Sequence, residues 1–423
     1  MKVVIPLFSA PLSGVVFPDS GTNPGVGGTQ HVSVMLAREL AKQHPTWLVE
    51  LVNVHPFSVE NSPENLSIIC QPSIDACLSG IPIDGDTVVI AAVSLLEHAG
   101  PDVLAYCARR VLAWSHHPYD FKLRILCGRA KFAATVSVGE YQYCSNGLQQ
   151  GPHFLINNLV FSLAHESHRN GAAQDSKSRL RIGHLGALVE EKGFLDIARM
   201  WPRLRSRFAE CELHVVGSGA LYRDVELHPL VPADLKFARR ILEHIEVEDI
   251  SSGRVTFHGR LGAEKTEVME RCSIAVQNPR GGSEAFPGSV LEWLSLGVPV
   301  IGSSAFGMWE FMKFFPELQI QNPEEIEDRI AFLMELPERL AEFQDRASRV
   351  AGHFVAQRDE VLRQWSELIV ATACDQVYTL PVGRYTAGRS QAYFWREIVR
   401  RHWRIILSNS PLGAAYRMIR SRK

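Results

Sequence analysis

Short runs of Val, Ile and Leu alternate along this chain with stretches whose apolar residues recur at helical spacing, and the alternation occurs twice. Runs at 3–7, 47–54, 87–92, 111–115, 133–138 and 154–157 read as strands, with helix-like segments such as 29–43 and 121–129 between them. Continuous apolar runs separated by helices imply a parallel sheet covered on both faces. A polar, Gly/Ala/Ser-rich stretch without periodicity then intervenes, and it reads as a linker. Beyond it the pattern restarts, with strands at 180–185, 213–216, 255–258, 274–277 and 298–301 and helices at 234–245, 263–271 and 289–296. A chain of 423 residues is too long for one ordinary core. The expected fold is therefore α/β, with two doubly wound, Rossmann-like parallel-sheet domains at 1–165 and 179–355, a linker at 166–178, and a cleft at the strand C-termini.

Composition narrows the partners. A formal charge of −2 gives no strong overall attraction to nucleic acid, so none is expected as a ligand. The eight cysteines include no C-x-x-C pair, which argues against a disulfide framework or a zinc site. The first residues lack the basic flank and long apolar region of a signal peptide, and no apolar run approaches the ~20 residues of a membrane span. A cytoplasmic location is the expectation. Residues 381–423 differ in character: from Arg384 onward, Arg389, Arg396, Arg400, Arg401, Arg404, Arg417, Arg420, Arg422 and Lys423 face the single acid Glu397, with Tyr393, Phe394, Trp395, Trp403 and Tyr416 interleaved. Two readings stay open for this extension. It suits an amphipathic helix on an anionic membrane, on the inner face of the bilayer, through 384–423; it equally suits a helix packed on the first domain with a basic tail.

The stretch 279–310, PRGGSEAFPGSVLEWLSLGVPVIGSSAFGMWE, carries the most chemistry. A strand ends in a Gly-rich loop that holds Glu284 and leads into a helix holding Glu292. Pro287 suits the start of that helix, and Gly288, Ser289 and Val290 supply free first-turn N–H groups that attract an anion such as a diphosphate. Carboxylates suit paired hydroxyls because each oxygen accepts hydrogen bonds, so Glu284 can take those of a sugar and Glu292 those of a ribose. After strand 180–185, Gly186 opens the segment GALVEEKG, whose Lys192 would stabilise negative charge developing on a leaving phosphate. In the first domain, PGVGGTQH places Gly27 and Gly28 at a helix start, where backbone can approach a ligand closely. His116 and His117 follow strand 111–115, at the end of the sheet where ligands bind.

The spacing of Glu284 and Glu292 resembles the E-x7-E motif of retaining GT-B glycosyltransferases, and the surrounding SEAFPGSVLEWLSLGVPVI looks like glycosyltransferase family 4. That resemblance covers roughly residues 1 to 370. It implies that Glu284 contacts the transferred sugar and Glu292 the nucleotide ribose. GALVEEKG is similar to the family's G-R-L-x-x-x-K-G segment, so Lys192 grips the donor diphosphate. By the same likeness Gly27 and Gly28 meet that diphosphate, and His116 lies near the sugar's reacting face, with His117 as the runner-up. The turn VVGSG at 215–219 resembles the family's V-G-x-G, adding Gly217 to the donor site; Tyr222 in the third glycine position argues against a nicotinamide fingerprint. Phe154 to Asn158 resembles V-I-P-N-G, and Glu310 matches a recurring glutamate. Gln30 and His117 fall on the acceptor side. Helices at 356–380 are expected to cross back to the first domain.

Two departures stand out. Ala187 occupies the place of the family's arginine, removing a bidentate phosphate contact that Lys192 cannot reproduce; Arg280 is a candidate replacement. Trp293 stands where a small residue is usual. The implied function is a retaining hexosyltransferase that uses a nucleotide-diphosphate sugar, with neither cofactor nor metal, to modify a glycan or lipid-linked acceptor, as in surface polysaccharide or glycoconjugate synthesis. Left open beside it are a catalytically weak GT-B subunit that only binds nucleotide sugar, as the loss at Ala187 suggests, and another GT-B enzyme such as a phosphorylase or epimerase.

Overall fold

The computed structural model describes residues 1–7, 12–73, 76–77, 85–96, 110–117, 132–146, 152–161, 180–221 and 225–378. The helix expected at 121–129, the linker at 166–178, Tyr222 and the extension 381–423 lie outside them. Seven strands form the first sheet: β1 Lys2–Pro6, β2 Leu48–Asn53, β3 Leu66–Cys70, β4 Thr87–Ala92, β5 Val111–Ser115, β6 Ala134–Ser137 and β7 His153–Leu155. Six form the second: β8 Arg181–Leu185, β9 Glu212–Val216, β10 Val255–Gly259, β11 Ile274–Gln277, β12 Val300–Ser303 and β13 Gln319–Ile320. Every pairing is parallel, in the orders β3-β2-β1-β4-β5-β6-β7 and β10-β9-β8-β11-β12-β13. Both orders reverse beside their first strand, the switch point at which such sheets open a ligand crevice. The protein is thus two Rossmann-like α/β domains. The central strands β4 and β5 are buried at every residue, as their unbroken apolar runs require.

Strand β3 was not legible as a strand. Its LSIIC is interrupted by a serine, and at the sheet edge it is only partly buried. Strand β13 has two residues, too few for any periodicity.

Helix α1 (Gly28–Gln43) follows the glycine loop of the first domain. In the second domain, helix α2 (Phe194–Arg207) follows Lys192, α3 (Lys265–Glu270) follows β10, α4 (Gly288–Ser295) follows the Glu284 loop, and α5 (Trp309–Met312) follows β12. The last described helix, α6 (Arg358–Ala373), returns to the first domain. Its Trp365 meets Trp114 edge-on at 5.0 Å, Ser366 Oγ lies 2.8 Å from His44 Nε2, and Arg358 pairs with Glu39. Among the described residues no helix is long and apolar enough to cross a membrane.

The structure explains Trp293. Its ring is fully buried under α4, against Gly183 of β8, where a Cβ would come within 2.3 Å of the indole. With the Gln277 amide turned to satisfy its neighbours, its oxygen accepts from Trp293 Nε1 at 2.7 Å and from the Leu185 N–H at 2.7 Å. A large residue at 293 and none at 183 keep the helix seated on its sheet, and the buried indole N–H has the partner that burial demands.

Candidate active site

The two domains enclose a cleft of about 600 Å³, within the range of small-molecule sites. Its walls include Gly28, Gln30, His116, His117, Gly186, Lys192, Gly217, Glu284, Gly288, Ser289 and Glu292, residues far apart in sequence that the fold brings together. Gly27 and Val290 are not on its surface. Gly27 is the buried residue that caps α1, and Val290 is fully buried with its N–H donating to Pro287 O at 3.2 Å. The free amides of that turn belong to Gly288 and Ser289, on which α4 opens to the cleft without a capping side chain or an acid in its first turn.

Glu284 is nearly buried and pairs with Lys192, whose Nζ lies 2.8 Å from its Oε1. Asn278 Nδ2 donates to the same oxygen at 3.3 Å and to Gly282 O at 2.7 Å. The loop is tightly held: Asn278, Ser283 and, beyond it, Phe306 have φ of 33°, 62° and 53°, a region that side chains rarely occupy. Such outliers persist only where the surroundings fix them, and they concentrate at functional sites. The loops carrying Lys192 and Glu284 also need each other's glycines. At Gly193, with φ of 76°, a Cβ would meet Pro279 Cδ at 2.9 Å. Gly217 admits no side chain at all, since a Cβ would lie 1.8 Å from Gly186 O, so the two glycines at the ends of β8 and β9 form a bare floor.

Arg280 does not replace the missing arginine. Its guanidinium forks onto Asp196 of α2, at 2.5 and 2.8 Å, and does not line the cleft. Among the described residues the arginine that does line it is Arg260, just past the end of β10, with its side chain packed over Gly25. Ala187 lines the cleft with almost no exposed surface.

Both histidines face the cleft, with different surroundings. His116 lies tilted on Trp114 at 4.2 Å with its Nε2 buried and unpartnered, and burial lowers its pKa to about 3, so the ring is neutral. His117 is the ring that feels the ion pair: burial lowers its pKa, Lys192 lowers it further, and Glu284 opposes both. Its carbonyl accepts from Gln142 Nε2 at 2.7 Å, which fixes the strand end. Asn158 is buried in the cleft wall with its Oδ1 unpartnered; it does not occupy the left-handed region, so its exchange for glycine has another basis than φ.

Besides Arg260, two residues escaped the reading of the sequence. His184 of β8 donates its Nδ1–H to Val276 O at 3.0 Å, leaving Nε2 buried in the cleft floor. Lys265 pairs with Glu292 at 2.5 Å while almost wholly buried. Neither has a motif around it, and a histidine in a strand or a lysine at a helix start is an ordinary surface pattern in sequence.

Glu310 sits on the seam between the domains. Its Oε1 accepts from the Tyr141 N–H of the first domain at 3.1 Å, and Lys313 bonds Glu140 at 2.8 Å beside it. Gly139 leaves the room: a Cβ there would lie 2.3 Å from Ala285 O. Burial raises the Glu310 pKa to about 7, against the pull of Lys313. A carboxyl that binds its proton more tightly folded than unfolded contributes stability below its unfolded pKa, and that contribution is lost as pH rises through the folded value. Stability should therefore fall between about pH 4.5 and 7, by about 3 kcal/mol. Glu310→Gln keeps the acceptor for Tyr141 and should remove this slope. Urea denaturation of both proteins at pH 5 and pH 8 measures it; equal slopes would disprove the assignment.

The comparisons bear on the fold. Residues 179–336 match the family model described as glycosyl transferases group 1. Those residues make up most of the second domain, which is thus similar to that group, and the chain as a whole has the GT-B fold. Sucrose-phosphate synthase from Thermosynechococcus elongatus superposes with a TM-score of 0.64 at 15% identity, over 89% of this chain and 100% of that one. HepE of Anabaena, solved with UDP and glucose, gives 0.56 at 13%, over 86% and 99%. TarM of S. aureus, a mutant solved with fondaparinux, α-GlcNAc-glycerol and UDP, gives 0.52 at 16% over 70% of this chain, and the match spans 58% of TarM. A search of curated proteins finds no match.

Proposed function

We propose that this protein is a retaining glycosyltransferase that moves a sugar from a nucleotide-diphosphate sugar to a glycan or lipid-linked acceptor. The observation that carries the reading is the Lys192–Glu284 pair beside the open N-terminus of α4, with Glu292 one turn further in and facing the same cleft. The diphosphate lies against the Gly288 and Ser289 amides, the Gly186–Gly217 floor and Lys192. Glu284 accepts hydrogen bonds from the sugar, and Glu292 from the ribose. His116, neutral, presents a ring nitrogen near the reacting face; His117 and Gln30 line the side from which an acceptor hydroxyl approaches. The departing phosphate oxygen takes that hydroxyl's proton on the same face, so the sugar keeps its configuration. Positive charge from Lys192, the helix end and Arg260 serves where other enzymes use a metal, and no cofactor is required. GT-B structures solved with UDP support the donor class. The basic, aromatic-rich stretch 384–423 suits delivery of a lipid-linked acceptor at the cytoplasmic face of a membrane.

The test is a thermal-shift screen of nucleoside diphosphates and nucleotide sugars. A ligand that binds only the folded state at 100 times its Kd stabilises it by about 2.7 kcal/mol. Glu292→Ala should weaken nucleotide binding about tenfold or more, as loss of a charged acceptor costs about 1.5–3 kcal/mol. Unchanged affinity in that variant would remove Glu292 from the donor site.

One observation favours a second reading. Ala187 is sealed and Arg280 is committed to Asp196, so the bidentate phosphate contact of the family's arginine is not restored at its own place in the loop. A binding subunit would hold nucleotide sugar tightly and release no nucleoside diphosphate with any acceptor tried, whereas an enzyme would turn over.

A further inference from the structure

Lys265 begins α3, and its side chain is 4% exposed. Burying an ammonium is costly unless its N–H groups are matched. One donor has a partner in the main-chain oxygen of Asn23, in the first domain, at 3.3 Å; Glu292 Oε2 lies 2.5 Å away as the counter-charge, but without hydrogen-bond geometry, so that buried oxygen still lacks a donor. Asn23 is itself fixed, because its Oδ1 accepts from the Gly25 and Val26 N–H groups at 2.9 and 2.8 Å. The Lys265 side chain therefore runs between the two domains and ends at the carboxylate assigned to the ribose, with N–H groups still to place, an unmatched Glu292 oxygen next to them and the cleft beside both.

We propose that Lys265 is the second half of the ribose receptor, a positioning and specificity residue that donates to a ribose oxygen while Glu292 accepts from the neighbouring hydroxyl. The inference rests on the donor reading of the cleft. Its chemistry follows from the diol. Each ribose hydroxyl carries one proton and an oxygen able to accept, and a carboxylate can only accept. A carboxylate alone satisfies the protons of a vicinal diol and leaves its oxygens to water; an ammonium locked beside it satisfies an oxygen as well. A 2′- or 3′-deoxyribose keeps one hydroxyl and loses the other, leaving one of the two buried charged groups without its partner, and it is for such unpaired groups that polar sites reject analogues strongly. The bond to Asn23 also makes the pair a contact between domains: a ribose seated there meets a group already fastened to the glycine loop opposite.

The experiment measures, by calorimetry, the Kd of whichever of UDP, ADP or GDP binds the full chain, together with those of its 2′-deoxy and 3′-deoxy counterparts. Wild type should prefer the ribonucleotide by about 30-fold or more over at least one deoxy counterpart, as expected for the loss of one charge-assisted hydrogen bond. Lys265→Met should bring that preference below about fivefold, with little change in affinity for the deoxy form. A residue that merely braces the fold would weaken all three ligands together. Because removing one partner of a buried pair can destabilise the fold, Lys265→Met/Glu292→Gln, which deletes both charges, is measured alongside and should show the same loss of preference. Lys265→Met with the wild-type ratio would overturn this inference while leaving the donor reading intact; a wild-type protein that binds no nucleoside diphosphate would overturn the donor reading and this inference with it.

Discussion

Glu284→Gln should cut sugar transfer by about 10²–10³-fold while changing the affinity for a nucleoside diphosphate by less than about threefold. The substitution keeps size and one acceptor oxygen but removes the charge. Glu284 lies at the end of the cleft where Lys192 and the His117 ring converge, held by Asn278 and by a loop whose backbone is locked in a costly conformation. A group held so firmly contributes most where charge develops, because its orientation has been fixed in folding and need not be fixed during reaction. In the proposed donor site the nucleotide meets the first turn of α4 and Glu292 rather than Glu284, so its binding should be nearly indifferent. Steady-state release of nucleoside diphosphate from the donor, beside calorimetric Kd values, separates the two quantities. A variant with normal turnover would exclude Glu284 from the reacting site, and a parallel loss of binding and turnover would move it to ground-state binding.

The second large effect concerns its partner. Lys192→Met should lower transfer by about 10²–10³-fold and weaken nucleoside diphosphate binding by about tenfold, since the ammonium meets the phosphate both before and during departure. The pair is in direct contact at 2.8 Å, so the two substitutions should not add. The double variant Lys192→Met/Glu284→Gln should be no more than about tenfold worse than the poorer single variant, as happens when residues act as a unit. Full additivity of the two losses would show that the ion pair is incidental to the reaction. Retention of wild-type nucleotide affinity in Lys192→Met would place the diphosphate on the helix end and Arg260 instead.

Much of this protein was legible in its sequence. The strand and helix alternation determined two parallel-sheet domains, because a strand buried on both faces has to be apolar throughout and a helix covering it has to be apolar on one side. The Gly-rich loop, Pro287 and the two glutamates determined where a helix would open onto a ligand, because turn, cap and spacing are local properties of the chain. What the sequence left undecided lies wherever partners come from distant segments. Arg280 and Arg260 are equivalent as letters; only packing turns one onto Asp196 and leaves the other at the cleft. Trp293 reads as an anomaly until Gly183, on a neighbouring strand, is seen to receive it. The two acids of the motif each met a lysine, Lys192 within a recognisable segment and Lys265 within none, and a buried ion pair between residues 27 apart follows no periodicity of helix or strand. Side-chain charge chooses its partner in three dimensions, where desolvation makes pairing compulsory, and for these pairs that choice is made only when the second domain folds and brings its loops and helix ends together.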